Sequence, residues 1–137
     1  MLLTIDREKS VVGTERTVGD ATFGAQVTYQ LTPEHRRQIM DFIDAHLDRP
    51  LRVIEMASHL GLSPSHFSRA FHSSMKMPPH RYLMARRLSK VRALLATSNM
   101  PLAEIALIAG FSDQSHLCRY FRECFGVTPS SFRRQYL

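Results

Sequence analysis

The chain predicts an all-α fold in which a two-helix unit is written twice, on either side of one long helix. Three observations carry that prediction. The phrase SHFSRAF at residues 65–71 returns as SHLCRYF at 115–121, 50 positions later. Beyond residue 32, apolar residues recur at steps of three and four, the period of a helix with one buried face. Ser or Thr repeatedly stands just before such a stripe, often followed by Pro, which is how helices begin.

Length and charge bound what such a fold can be. The 137 residues allow one ordinary domain, or two very small ones sharing a core. A hydrophobic share of 44% against 22% charged reads as a soluble globular chain, not a disordered one. The apolar runs are too short to span a bilayer. The opening MLLTIDREKS has acidic residues where a signal peptide needs basic and then apolar ones, which points to the cytoplasm. The net charge of +6 is unevenly spread. Residues 1–50 hold 6 Lys/Arg against 8 Asp/Glu, whereas residues 51–137 hold 12 against 4. A compact segment so basic suits a polyanionic partner, nucleic acid or an acidic membrane face.

Residues 1–31 show no sustained period and read as an irregular leader. Thr32-Pro33-Glu34 starts the first helix, with Thr as the cap and Pro at the first helical position. Ile39, Phe42, Ile43 and Leu47 form its stripe, and the helix is expected to end near Asp48, before Pro50. The first unit then occupies about 32–78, a linker helix about 79–98, and the second unit about 99–137.

The repeat organises everything after Pro50. IEMA at 54–57 aligns with AEIA at 103–106 at an offset of 49, and Gly61 with Gly110 at the same offset. From Ser65 the offset is 50, so one copy has an extra residue in the turn after the glycine. Phe71 then pairs with Phe121, Pro79 with Pro129 and Tyr82 with Phe132. Each copy has the grammar of a helix-turn-helix. A small residue (Ala57, Ala106) admits a close second helix, and a glycine four positions on supplies the positive φ of a tight turn. Ser63 before Pro64 and Ser112 before Asp113 are the expected caps of the second helices. Phe67 and Phe71, or Leu117 and Phe121, anchor those helices to a core. Arg69 and Arg119 lie two positions after the first anchor, about 200° around the helix, and so face outward.

Between the copies, Met84, Leu88, Val91 and Leu95 step by four, three and four, and Asn99-Met100-Pro101 stops the helix. Roughly 19 residues make it ~28 Å long. Its other face is expected to carry Arg86, Arg87, Lys90 and Arg92. A last short helix follows Thr128-Pro129 and is anchored by Phe132. Cys118 and Cys124 have no disulfide or zinc spacing and read as reduced packing residues. His66 and His116 occupy matching positions, but nothing nearby supplies further metal ligands, so turn-side packing is the better reading.

A capped, steeply held helix bearing Ser, His, Gln and Arg suits the major groove of DNA, which admits one α-helix and exposes base edges to it. Proteins with one such helix usually dimerise to place two readers ~34 Å apart. Here the second reader is in the same chain. Since the copies differ, the site they read is expected to be asymmetric.

The residues that decide the matter run from 105 to 136, IALIAGFSDQSHLCRYFRECFGVTPSSFRRQY. With Gly110-Phe111, Ser115-His116-Leu117, Phe121-Arg122, Gly126, Thr128-Pro129 and Phe132-Arg133, the chain from about Thr32 to Tyr136 resembles the DNA-binding domain of the AraC/XylS family of transcription regulators. The resemblance implies seven helices, forming two helix-turn-helix units joined by a long central helix. It implies sequence-specific binding to double-stranded promoter DNA in a bacterial cytoplasm, usually to activate transcription by contacting RNA polymerase. It directs Gln114, Ser115, His116 and Arg119 of the second reading helix toward bases or nearby phosphates. In the first helix the matching positions are Ser65, Ser68 and Arg69, with His66 beside them. Arg can fork onto guanine and Gln can pair with adenine, while Ser is permissive. Ser63, Ser112, Arg86, Arg87, Lys90, Arg133 and Arg134 are the candidates for phosphate contact, which would set register and add salt-sensitive affinity.

Two departures accompany the resemblance. The family's usual effector or dimerisation domain has no counterpart in the roughly 31 residues before the first helix; the expectation is either a short stand-alone regulator or a DNA-binding fragment of a larger, effector-responsive one. Lys76 also stands where the second copy has Gly126. No catalytic motif occurs, and no cofactor, metal or small-molecule effector is indicated. The rival readings are a non-specific nucleoid-type binder using only the basic faces, and an amphipathic membrane binder through residues 80–98. The second is disfavoured because that helix needs its apolar stripe to join the units.

Overall fold

The computed structural model of the chain describes residues 29–136. Seven helices and no strand occur among them: α1 (Pro33–Ala45), α2 (Val53–His59), α3 (Pro64–Met75), α4 (Pro79–Thr97), α5 (Leu102–Ile108), α6 (Gln114–Phe125) and α7 (Pro129–Arg134). The all-α duplication expected from the repeat is the architecture observed. The leader expected over 1–31 lies outside the described residues except for its last three. Of these, Leu31 is buried, and its N–H donates to Ser74 Oγ on α3 at 2.8 Å.

Caps set most helix starts. Thr32 Oγ1 accepts from the His35 N–H (2.9 Å), Ser63 Oγ from that of His66 (3.1 Å), and Thr128 Oγ1 from that of Ser131 (3.1 Å). α1 is shorter than its stripe suggests. It ends at Ala45 because His46 turns its Nδ1 back onto the Phe42 carbonyl at 2.8 Å, while its backbone N–H tightens onto Ile43. Leu47, past the helix end, is still buried.

The two turns are built alike up to a point. The Leu62 N–H donates to the Ala57 carbonyl (2.9 Å) and the Phe111 N–H to that of Ala106 (2.8 Å), closing the chain around Gly61 (φ 71°) and Gly110 (φ 92°). They part at the next residue. Ser63 caps α3, but α6 is capped by Asp113, whose Oδ1 accepts from the His116 N–H at 2.8 Å. The expected cap Ser112 is therefore the extra residue of the second copy. It sits between turn and cap, with its N–H 3.2 Å and its Oγ 3.0 Å from His116 Nδ1.

Each unit has its own core, and α4 serves both. In the first, Ile39, Ile43, Met56, Ala57, Phe67, Ala70 and Phe71 are buried, and Tyr82 of α4 meets Phe71 edge-on at 5.6 Å. In the second, Met84, Leu88, Val91 and Leu95 of α4 pack with Ile105, Ala106, Ala109, Phe111, Leu117 and Phe121. Burying about seven such large side chains at 1.5–3 kcal/mol each is what holds so small a unit against chain entropy. α3 and α6 end in the same left-handed conformation, at Lys76 (φ 64°) and Gly126 (φ 77°). Cys118 is half-buried, but Cys124 is exposed and so is not the packing residue expected.

Candidate nucleic-acid interface

The second helix of each unit presents a polar face opposite a fully buried one. On α3, Phe67, Ala70 and Phe71 have no exposure, while Ser65 and Arg69 are exposed and Ser68 half-buried. On α6, Leu117 and Phe121 have none, while Gln114, Ser115 and Arg119 are exposed. Both arginines thus stand outward where the two-residue offset from the anchor puts them. Arg119 carries its guanidinium over the Tyr120 ring at 5.7 Å. Arg69 and His66 make further interactions of their own.

His116 is placed differently from its neighbours. Its ring lies edge-on to Phe111 (5.4 Å) and Tyr120 (5.0 Å), and Nδ1 faces Ser112. It braces the turn, the packing role weighed for both histidines, and it is half-buried among the base-contact candidates.

The phosphate candidates divide sharply. Ser63 and Ser112 are exposed beside the starts of α3 and α6; free backbone N–H groups favour an anion at α3, whereas at α6 the Asp113 carboxylate already takes that place. Arg134 is exposed and donates to Ser131 Oγ at 3.1 Å. Lys90 is half-buried. Arg86 is engaged by both carboxylate oxygens of Asp44, at 2.9 and 3.1 Å, which raises its already high pKa. Arg133 is half-buried, with Nε 3.4 Å from the Leu95 carbonyl and Nη2 buried without a partner. Arg87 is not on a solvated face at all. Only 6% exposed, it gives its guanidinium to backbone carbonyls of the α1–α2 connection, and burial pulls its pKa down. The expectation that Arg87 faces solvent is wrong. Arg92 lies against the Phe125 and Phe132 rings, at 5.0 and 5.7 Å.

The face also includes residues the sequence reading passed over. His72 and Arg122 are exposed one turn beyond Arg69 and Arg119, on the same face. Applying the offset of 50 to Arg122 would have found His72.

A family model described as a helix-turn-helix domain matches residues 56–135, more than half of the chain. In fold, the chain is similar to an AraC-type DNA-binding domain-containing regulator from Chromobacterium violaceum, with a TM-score of 0.71 and 26% identity over 75% of this chain and 92% of that one. The chain belongs to the AraC-type helix-turn-helix family.

Other members bear this out. The regulatory protein PocR of Salmonella typhimurium is 36% identical over 99 residues, 72% of this chain and 33% of PocR. The DNA-binding domain of AdpA, a global transcriptional factor solved in complex with a target DNA, superposes with a TM-score of 0.69 at 27% identity, over 73% of this chain and 90% of that domain. The chain spans about a third of the length of the curated relatives it matches. Its described residues have the fold of an AraC-type DNA-binding domain. No helix among them is long and apolar enough to cross a membrane.

Proposed function

We propose that this domain reads two adjacent major-groove segments of an asymmetric promoter site, α3 in one and α6 in the other, and that it activates transcription through RNA polymerase. The observation that carries the reading is the matched pair of exposed arginines, Arg69 and Arg119, each on a helix whose inner face is fully buried. A helix fixed in this way loses little freedom on entering a groove, so its side chains read with little ordering cost. Arg69 and Arg119 fork onto guanine, and Gln114 pairs with adenine. Ser65, Ser68 and Ser115 make permissive contacts. Ser63, Ser112, Lys90 and Arg134 hold phosphates and supply the salt-dependent share of affinity. The inequality of the copies, Ser68 against Cys118 and Ser65 preceded by Pro64 where Ser115 follows Gln114, supports unlike boxes over a palindrome.

The test is selection of bound sites from a random duplex library by this chain at one fixed, near-physiological salt concentration. Two unlike boxes about one helical turn apart are expected. A site of perfect two-fold symmetry refutes the asymmetric reading. Binding without enrichment of any sequence replaces it with a non-specific nucleoid-type role.

A further inference from the structure

Arg87 is a buried cation with no carboxylate partner among the described residues. Its Nε donates to the Leu47 carbonyl at 3.0 Å, and Nη2 to the Arg49 carbonyl at 2.8 Å. Nη1 lies 3.8 Å from Met84 Sδ. Both carbonyls belong to the α1–α2 connection of the first unit. The other side of the same guanidinium faces the second unit. A Cβ added to Gly110, in the α5–α6 turn, would lie 2.6 Å from Arg87 Nε, 2.9 Å from its Cζ and 1.9 Å from the Leu47 carbonyl oxygen. So three parts of the chain meet at one point: the first unit's loop, the central helix, and the turn that launches the second reading helix.

Burying an unpaired charge is unfavourable, and a hydrophobic residue of similar size would often be as stable here. What the guanidinium adds is direction. A planar fork that engages two carbonyls at once fixes the α1–α2 connection relative to α4, and Gly110 packs flat against that junction. The Arg86–Asp44 pair, one residue earlier, joins α4 to α1 but reaches nothing in the second unit.

We propose that Arg87 is a positioning residue that sets the distance and phase between the two reading helices, making the protein selective for the spacing between its two boxes. The proposal rests on the two-box reading above. Two tethered readers gain affinity over one only where the tether lets both engage together, and a stiff tether restricts that gain to one geometry. Inserting one base pair moves the second box by about 3.4 Å along the duplex and turns it by about 34°. A junction held by contacts near 3 Å does not follow such a change.

The experiment measures binding of wild type, Arg87→Met and Arg87→Lys to a duplex series at one salt concentration: each selected box alone, both at native spacing, and both with one base pair inserted or deleted. Met keeps length without charge; Lys keeps charge but cannot reach both carbonyls as a fork. For wild type, insertion is expected to cost about ten-fold or more, down to the level of the better single box. For Arg87→Met, single-box affinities are expected to stay within about two-fold of wild type. Affinity at native spacing should fall about ten-fold, and the difference between spacings should largely vanish. Arg87→Lys should fall between the two.

An unchanged spacing preference in folded variants overturns the proposal. So does an equal loss on single boxes and the joined site, or wild-type binding that is indifferent to insertion. If neither variant folds by circular dichroism, Arg87 holds up the fold and not the register, and the proposal also fails. If wild type gains nothing from joining the boxes, it is the two-box reading that has failed. If that gain is intact and Arg87 does not affect spacing, only this inference has.

Discussion

Gly61 and Gly110 occupy the same place in the two turns, and they should respond very differently to the same substitution. Both have φ in the left-handed region, 71° and 92°, so Ala at either costs about 1–2 kcal/mol of backbone strain. At Gly61 that is the whole cost, because an added Cβ meets nothing within 4 Å. At Gly110 it would stand 1.9 Å from the Leu47 carbonyl oxygen and 2.6 Å from Arg87 Nε. Relieving the first contact means moving backbone by more than an ångström, since a carbonyl in a loop tied by Arg87 cannot swing aside like a side-chain tip. Overpacking of this kind adds about 1–3 kcal/mol. Gly61→Ala should therefore cost about 1–2 kcal/mol and Gly110→Ala about 2–5, a large part of the roughly 5–15 kcal/mol that a domain has. Urea unfolding followed by circular dichroism reads the difference as a larger fall in the midpoint for Gly110→Ala at unchanged slope. Equal shifts for the two variants would refute the inter-unit contact, and with it the junction through which Arg87 is argued to act.

Arg119→Ala should leave stability unchanged, since the side chain is exposed, yet cost about 1–3 kcal/mol of DNA affinity and relax preference in one box; equal loss on all sequences, measured by competition binding, would make it a phosphate anchor instead. Lys76→Gly should stabilise the domain by about 1 kcal/mol, because Lys76 holds φ 64° where Gly126 holds 77°; a melting temperature that does not rise would sink the argument. Burial holds the His35 imidazole below its ordinary 6.5, against the opposing pull of Glu34. The unfolded chain then binds the proton more readily, so His35 lowers stability as pH falls through 6.5 and does nothing above it. Thermal melts in that window should show a shallower acid-side decline for His35→Gln than for wild type.

Much of this molecule was legible because its features are local. The caps at Thr32, Ser63 and Thr128 follow from a hydroxyl placed before a helical stripe, and the left-handed end of α3 could be inferred from Gly126 in the aligned copy. The differences between expectation and structure have separate physical causes. A period of 3.6 classifies a residue by its own helix, and α4 is buried on more than one side. Arg87 is three residues after Met84 and four before Val91, so it flanks the Met84–Leu88–Val91–Leu95 stripe; its charge suggests solvent, but a loop 40 residues earlier and a turn 23 later close over it. The one-residue offset at Ser112 can be placed on either side of the cap, and the bond from the His116 N–H to Asp113 settles which residue is extra. His46 ends α1 with a side-chain bond to its own helix, which no apolar pattern encodes.

The same asymmetry explains why the duplicated units are not interchangeable. In the first copy, Arg52 precedes α2 and its N–H is taken by Glu55 Oε1 at 3.2 Å, which also lies 3.3 Å from Arg49 Nη1. That contact holds the Glu55 carboxyl below its usual range and ties the α1–α2 connection to α2. In the second copy the position of Arg52 is Pro101, which has no N–H to give, and Glu104 is left exposed. The first unit thus has an ordered loop in front of its helix-turn-helix, and that loop carries the Leu47 and Arg49 carbonyls that receive Arg87. In the second unit Pro101 takes the place of Arg52, and that unit's contribution to the junction is the turn at Gly110. A loop from one copy and a turn from the other form an unlike pair, so the two reading helices are related by a contact with no internal symmetry. A pair joined in this way is not related by a two-fold axis through the junction, as the asymmetric site proposed above requires.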